Sequence, residues 1–252
     1  MITIKSEKEI EIMRVGGKIT AKALKASLAA AKPGVKLGEL EKIASDVIWG
    51  AGGEPAFQRV PGYNFATCIN VNEGVVHGIP GDRQLSEGDL VSIDLGTYYK
   101  GFNTDASWTA YVGDLKKAPA SSLELLEVGE RALRKAIAAA LPGNRISDIT
   151  LGMQKVLEDG QYSPMDTLVG HGIGRELHED PQIPCLLIHK KTPKIKVGMT
   201  LAIEVIYAQG DSAVEVEEDG WTIKTADGSL SGLFEHTVAI GAKGPVVLTE
   251  QE

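Results

Sequence analysis

The sequence predicts an α+β protein made of two similar halves, each with helices on the outside and an antiparallel sheet inside. A long helical segment followed by a short one occurs twice, about 109 residues apart. Each half then contains a His-Gly-Ile triplet and a strand that carries an acidic residue at the same offset. We therefore expect a single domain over residues 1–252, with pseudo-repeats at roughly 6–115 and 120–250.

Composition indicates an ordinary globular protein, with 43% hydrophobic residues in a chain of 252. A net charge of −8 argues against DNA as a partner, because phosphate backbones repel an acidic surface. Cys68 and Cys185 can form one disulfide or remain free, and free thiols suit a reducing compartment. The charged N-terminus lacks an apolar segment behind it, and no stretch approaches the roughly 18 apolar residues of a membrane span. We expect a cytoplasmic protein without a membrane contact.

The first half begins with two helices. Ser6 and Glu9 form a capping-box pattern, which predicts that a long helix begins there. Apolar residues recur at three- and four-residue steps over residues 10–28, and a Pro-Gly pair at 33–34 ends the pattern. A shorter helix follows, and the residues expected to face inward from it are Leu40, Ile43 and Val47.

The second half repeats this arrangement. A helix is predicted over 122–141, and a Pro-Gly pair at 142–143 ends it. A shorter helix then carries Ile149, Val156 and Leu157 and ends near Gly160. The His-Gly-Ile triplets follow the helices at 77–79 and 171–173.

Equivalent strands come next in both halves. Residues 88–94 and 198–204 both read as a glycine, an apolar stretch and an acid at the same offset. The alternation of Val91, Ile93 and Leu95 is typical of a strand with one buried face. Each strand is expected to pair with a partner strand, which contains Asp105 in the first half and Glu235 in the second.

Acidic residues in such strands indicate a metal site. A turn at 99–100 or 100–101 places Asp94 opposite or diagonal to Asp105, with the two side chains on one face and about 5 to 8 Å apart. Buried like charges are unfavourable unless a cation compensates them. With Glu204 and Glu235 on a second, facing hairpin, four carboxylates and one imidazole can hold two cations. The alternative is that these acids are edge charges or protonated core residues.

The histidines have different expected roles. His171 lies between two glycines, which allow the backbone to approach a ligand closely, and we expect it to be the nitrogen ligand. His77 and His178 are expected to line the site and contact substrate. His189 lies in a lysine-rich stretch and is expected to be solvated, and His236 either lies behind the ligands or is simply packed.

These residues occur in a set of motifs that closely resembles the methionine aminopeptidases. The motifs follow one another in the family's order and spacing: Val-Val-His77-Gly-Ile-Pro, Ser-Ile-Asp94-Leu, Asp105-Ala-Ser, Gly-His171-Gly-Ile-Gly, Leu-His178-Glu-Asp-Pro, Ala-Ile-Glu204 and Phe-Glu235-His-Thr. The resemblance implies the pita-bread fold, in which two pseudo-symmetric halves surround a dinuclear metal site. The short spacing from His178 to Glu204 and the start directly at the first helix resemble bacterial type 1 enzymes.

The resemblance also implies roles for individual residues. The implied metal ligands are Asp94, Asp105, His171, Glu204 and Glu235. His77 and His178 are implied to contact substrate and act in catalysis, and Glu204 to shuttle a proton as well. The residues implied to line the methionine pocket are Tyr63, Cys68 and Trp221. The sequence departs from the family pattern at Val205, where proline is usual, and at Leu177, where an aromatic residue is common.

The implied activity is removal of the N-terminal methionine from nascent proteins and peptides with a small second residue, through a hydroxide that bridges two divalent ions. Mn, Fe, Co and Zn all suit this ligand set. The alternatives are a proline-specific pita-bread peptidase, which usually carries an additional N-terminal domain, and a catalytically inactive binding module. The partners are peptide N-termini. The basic segment 190–196 is either a transient ribosome contact or a solvated loop, and a monomer is expected.

Overall fold

The computed structural model describes residues 1–188 and 190–250, so the expectation for His189 lies outside the described residues. Four α-helices lie in these ranges: α1 (Glu7–Ala30), α2 (Leu37–Gly50), α3 (Ala120–Ala139) and α4 (Ile146–Asp159). None of these described helices is both long and apolar enough to cross a membrane.

In each half two helices are followed by a series of strands. The first half contains β1 (Glu54–Pro55), β2 (Thr67–Val71), β3 (Gly74–Val76), β4 (Leu90–Tyr99) and β5 (Phe102–Tyr111). The second half contains β6 (Ser163–Pro164), β7 (Val169–Gly172), β8 (Glu179–Pro184), β9 (Thr200–Ala208), β10 (Val214–Val216), β11 (Ile223–Thr225), β12 (Ser231–Gly241) and β13 (Gly244–Val247).

Ten of the described strands form one antiparallel sheet that runs through both halves. Its main path is β1-β4-β5-β12-β9-β7-β8, while β2 pairs with β4, β6 with β9 and β13 with β12. The hairpin of the first half and the strand pair of the second therefore lie side by side, joined through β5 and β12. The expectation of two facing hairpins is wrong, because the two halves share edges and form a continuous sheet. Strands β10, β11 and β3 form a separate small sheet.

The internal duplication is visible in equivalent elements. Helices α2 and α4 both contain 14 residues, and near the start of each an acidic side chain accepts the N–H of the residue that precedes the helix, from Lys36 to Glu39 and from Arg145 to Asp148. The two-residue strands β1 and β6 follow these helices and pair with the ends of β4 and β9. Isolated bridges join Lys36 to Gln84 and Arg145 to Lys194 at corresponding places. The expected pita-bread architecture of two similar α/β halves is confirmed, whereas the residue limits of the halves stay a prediction.

The helices cover the sheet through their apolar faces. The capping box of Ser6 and Glu9 forms at the start of α1, as predicted. In α2 the buried residues include Leu40 and Ile48, whereas Ile43 and Val47 are only partly buried. In the second half, Ile149 and Leu157 of α4 are buried in the largest apolar core, and Val156 is partly buried beside it. The strand face bearing Val91, Ile93 and Leu95 packs against α1 and α2.

Candidate metal centre

The β4–β5 hairpin places two carboxylates on one face of the sheet. Its turn consists of Lys100 and Gly101, both with positive φ (47° and 92°), as a two-residue hairpin turn requires. In the resulting register Gly96 pairs with Asp105, so Asp94 lies diagonal to Asp105. The strand face that carries the two acids is largely buried, because it forms the floor of a cavity.

The second half supplies two more carboxylates to the same floor. Glu204 of β9 pairs directly with Glu235 of β12, and Glu235 also pairs with Ser107 of β5. The β5–β12 junction has a further link, in which the Thr237 hydroxyl accepts the N–H of Asp105 at 2.8 Å and donates to its carbonyl oxygen at 2.8 Å. These two bonds connect the backbone of Asp105 to β12, the strand that carries Glu235.

His171 lies on β7, next to the carboxylates. Its Nδ1 lies 2.8 Å from the carbonyl oxygen of Gly172, and its Nε2 lies 3.4 Å from Glu204 Oε1. The expectation that the flanking glycines allow approach to a ligand stays a prediction, and the structure gives these glycines a role in backbone packing. A Cβ at Gly170 would lie 2.6 Å from the Ala202 oxygen, and one at Gly172 would lie 2.1 Å from the Asp180 oxygen. The glycines are required because β7 packs closely against neighbouring backbone.

Burial and mutual repulsion keep the carboxylates from ionising easily. Burial raises the pKa of Asp94, Glu204 and Glu235 well above their ordinary values, and the charge of Asp105 adds to each shift. Burial also raises the pKa of Asp105 to about 7, although the N–H of Ala106 opposes this shift. Four acids with raised pKa values in one place are costly without a compensating cation.

The arrangement of donor atoms fits a metal ion. Ligand atoms of Asp105, His171 and Glu235, all buried residues, lie within 4.8 Å of one another. One oxygen each of Asp94, Asp105 and Glu235 is buried without a hydrogen-bond partner. Burial, with His178 nearby, lowers the pKa of His171 to about 4, so its imidazole is neutral and able to act as a ligand. Unpaired carboxylate oxygens and a neutral imidazole are ligands for divalent transition metals.

His77 and His178 both open onto the cavity beside these acids. Both residues are exposed at the cavity, and partial desolvation by its walls lowers the pKa of each imidazole. The rings of His171 and His178 meet edge to face with centroids 4.5 Å apart. His77 adopts a positive φ of 59° at the end of β3. The positions therefore allow both histidines to reach a bound molecule.

The cavity above the acids has a volume of about 310 Å³ and an apolar side. Tyr63, Cys68 and Trp221 all line it, and Tyr63 and Trp221 meet edge to face with centroids 5.0 Å apart. Burial raises the pKa of the Cys68 thiol well above its ordinary value, with Asp94 adding to the effect, so the thiol stays neutral. The N–H groups of Trp221 and Thr222 bond the Asp219 carboxylate, so Trp221 both follows a turn and lines the cavity.

Sequence reasoning missed several residues around the site. The cavity is also lined by Phe57, Val60, Val76, Thr167, Leu168, Val169 and Ile206. Ile206 was accessible to prediction, because it lies two residues after Glu204 and so on the same strand face. His236 points away from the cavity, where its Nδ1 lies 3.0 Å from Thr249 Oγ1 and its ring packs on Trp108. His236 is thus packed behind the sheet.

Sequence comparison finds similar proteins over nearly the whole chain. The sequence profile of metallopeptidase family M24 matches residues 11–240. A methionine aminopeptidase from Clostridium perfringens is 40% identical over 249 residues, which cover 99% of each chain. Methionine aminopeptidase 1 of Bacillus subtilis is 41% identical over 249 residues, again with 99% of each chain covered.

Structural comparison agrees with these matches. A crystal structure of methionine aminopeptidase from Thermotoga maritima superimposes with a TM-score of 0.96 at 41% identity, covering 99% of this chain and 100% of that one. A prolidase from Pyrococcus furiosus superimposes with a TM-score of 0.78 at 27% identity. That match covers 99% of this chain but only 66% of the prolidase.

Proposed function

Because the chain belongs to metallopeptidase family M24, we propose that it is a methionyl aminopeptidase. It removes the N-terminal methionine from nascent proteins and peptides with a small second residue. The observation that carries this proposal is the convergence of four carboxylates and one imidazole beneath a small, partly apolar cavity. The full-length similarity to methionine aminopeptidases supports the same substrate.

The metal ligands are Asp94, Asp105, His171, Glu204 and Glu235, and we propose that they hold two divalent ions. Asp94 and Asp105 come from one hairpin, and Glu204 pairs with Glu235 across the next strand pair, so four carboxylates on neighbouring strands would hold the ions. When bound, the ions supply an activated water and polarise the scissile carbonyl. Mn, Fe, Co and Zn remain the candidate metals, because this ligand set suits all four.

The histidines act on the substrate itself. His178, neutral and open to the cavity, donates an N–H to the carbonyl oxygen of the first peptide bond as negative charge develops there. His77 opens onto the same cavity and contacts the backbone of the substrate. Glu204 takes up the proton that the attacking water loses and passes it to the amine of the leaving peptide, a role compatible with metal binding for a carboxylate.

The apolar side of the cavity selects methionine. Tyr63, Cys68 and Trp221 contact its side chain, since a thioether packs favourably against aromatic rings and a neutral thiol. The preference for a small second residue rests on the resemblance of the motifs to the methionine aminopeptidases.

Substrate comparison tests the proposal against its nearest rival. The protein loaded with Mn²⁺ or Co²⁺ should hydrolyse Met-Ala-Ser much faster than Arg-Pro-Pro or Ala-Pro. A preference for either proline peptide would instead indicate a proline-specific peptidase. Correctly folded protein that binds no metal and cleaves none of the three peptides would indicate the inactive binding module.

We also propose that the enzyme works as a monomer in the cytoplasm, near emerging nascent chains. Cys68 and Cys185 are both free, as a reducing compartment favours. Exposed lysines at 190, 191, 194 and 196 form a basic patch on an acidic protein, which could touch ribosomal RNA. Reversing these charges should reduce co-sedimentation with ribosomes, whereas unchanged co-sedimentation would identify a solvated loop.

A further inference from the structure

The segment that carries His178, residues 174–180, is held by few buried side chains. Arg175, Glu176 and Asp180 are exposed, and Leu177 is only partly buried. The side chain of Glu179 is the exception, because it is only 7% exposed. We refer to residues 174–180 as the His178 segment.

Glu179 is bound by the N-terminal segment, residues 1–5. Lys5 Nζ donates to Glu179 Oε2 at 2.5 Å, and the hydroxyl of Thr3 donates to the same oxygen. The Lys5 side chain is only 4% exposed, and its backbone N–H donates to the carbonyl of Gly198 at 2.7 Å. The N-terminal segment is thereby fixed to the sheet and presents a buried ammonium group to Glu179.

The ion pair lies directly against the backbone of the His178 segment. A Cβ at Gly174 would lie 2.3 Å from Lys5 Cε, so the lysine stem occupies the space where a side chain would be. The other oxygen of Glu179, Oε1, accepts the N–H of Glu176 at 3.3 Å. The ion pair therefore contacts the turn that precedes His178 at two places, and Asn103 holds the start of that turn through the carbonyl oxygens of Gly174 and Arg175.

His178 needs such support because open space lies on two sides of it. The residue lines the catalytic cavity, and it also lines a second cavity of about 570 Å³ beside the N-terminal segment. Contacts of the His178 ring alone therefore do little to fix the orientation of the imidazole. The backbone at Glu179, which pairs with Gly172 next to His171, is the nearest fixed point.

We propose that the buried Lys5–Glu179 ion pair is a positioning device that holds His178 at the substrate carbonyl. The proposal rests on the proposed function of His178. Removing Lys5 leaves a buried carboxylate without its partner, which favours movement of Glu179 toward water. Since His178 is the preceding residue, its ring moves with Glu179. A displacement of about 1 Å in a catalytic group can reduce a rate by roughly 10²-fold.

Lys5→Met tests this role, with Lys42→Met as its matched control, because Lys42 forms an exposed ion pair with Asp46. On Met-Ala-Ser, Lys5→Met should lower kcat by about 10- to 100-fold, with KM and bound metal unchanged. Lys42→Met should behave as the parent protein. If Lys5→Met does not fold, Lys5→Met/Glu179→Gln carries the test, because it leaves no buried charge to unfold the protein but still lacks the bond from Lys5 to residue 179, and a loss of kcat is expected.

A His178→Ala background separates positioning from a general loss of stability. If Lys5 acts through His178, adding Lys5→Met to His178→Ala should cause no further loss of kcat. Losses that multiply would overturn the proposal. In the zinc-loaded protein, the NMR signal of the His178 ring, assigned by its absence in His178→Ala, should move in Lys5→Met while the His77 signal stays. An unmoved His178 signal would also overturn it. If the parent protein does not cleave Met-Ala-Ser, the proposed function fails, whereas the NMR comparison still tests the ion pair.

Discussion

At the scale of single residues, the site separates the proposed metal ligands from the groups proposed to act on substrate. His171 is buried, with its Nε2 3.4 Å from a Glu204 oxygen. His178 meets the same ring edge to face but is open to the cavity. A buried imidazole between carboxylates suits a ligand, whereas an exposed one beside the ligands suits contact with a reacting carbonyl.

This separation predicts opposite results for two alanine variants. His178→Ala should lower kcat on Met-Ala-Ser by roughly 10²-fold or more, the usual scale for losing one donor to an oxyanion, while bound metal is unchanged. His171→Ala should lower both metal stoichiometry and activity, because a ligand is removed. Metal analysis and steady-state kinetics on the same preparations measure both effects. Loss of metal in His178→Ala would show that His178 is a ligand.

At the scale of elements, local sequence patterns predicted the individual caps, turns and strands, but they did not predict how the two halves are joined. The capping box at Ser6, the Lys100-Gly101 turn and the alternation in β4 all depend on neighbours in sequence, and all appear in the structure. The junction of β5 with β12 depends on contacts between residues far apart in sequence. It uses the hydroxyls of Thr109 and Thr237, for which no local pattern gave a signal.

The junction yields a prediction for Thr237→Val. This change removes the acceptor for the buried N–H of Asp105, which should lower the free energy of unfolding by about 1–3 kcal/mol. The bonds of Thr237 also orient the backbone of Asp105, a proposed metal ligand. Metal affinity should therefore also fall by roughly 10- to 100-fold. Denaturant unfolding and metal titration measure the two quantities.

Thr150→Val is the matched control, because Thr150 of α4 is also buried and its hydroxyl donates to the carbonyl of Pro184 in β8 at 2.8 Å. It should lose stability without losing metal affinity. Equal weakening of metal binding in both variants would mean that general stability, and not the β5–β12 junction, sets the affinity.

At the scale of the whole molecule, the fold brings together residues whose proximity could not be predicted from their spacing in the sequence. Asp94 and Asp105 belong to one hairpin, so their separation followed from the turn. Trp221 reaches the cavity through β10 and β11, which are inserted between β9 and β12, and only the family resemblance indicated its place. Lys5 and Glu179, 174 positions apart, were not singled out, because an ion pair between distant segments has no sequence signature.

The four buried carboxylates should make the stability of the whole molecule depend on pH, and bound metal should reverse that dependence. In the metal-free protein, Asp94, Asp105, Glu204 and Glu235 all have folded pKa values raised by burial above their ordinary 3.8 or 4.5. Their contribution to stability is therefore fully present below about pH 4 and is lost as pH rises through the folded values, which for Asp105 is about 7. Thermal unfolding of metal-free protein should show a lower Tm at pH 8 than at pH 5.

Bound metal should change the sign of this dependence, because ligands must give up their protons to bind it. Metal uptake near pH 6 should release protons, which calorimetry in buffers of different ionisation enthalpy measures, and affinity should rise with pH. Asp105→Asn should flatten the metal-free dependence, since one carboxylate is removed, whereas Asp82→Asn at an exposed site should not change it. A metal-free protein that instead gains stability from pH 5 to pH 8 would mean that its carboxylates ionise freely without a cation, and the electrostatic case for the metal centre would be lost.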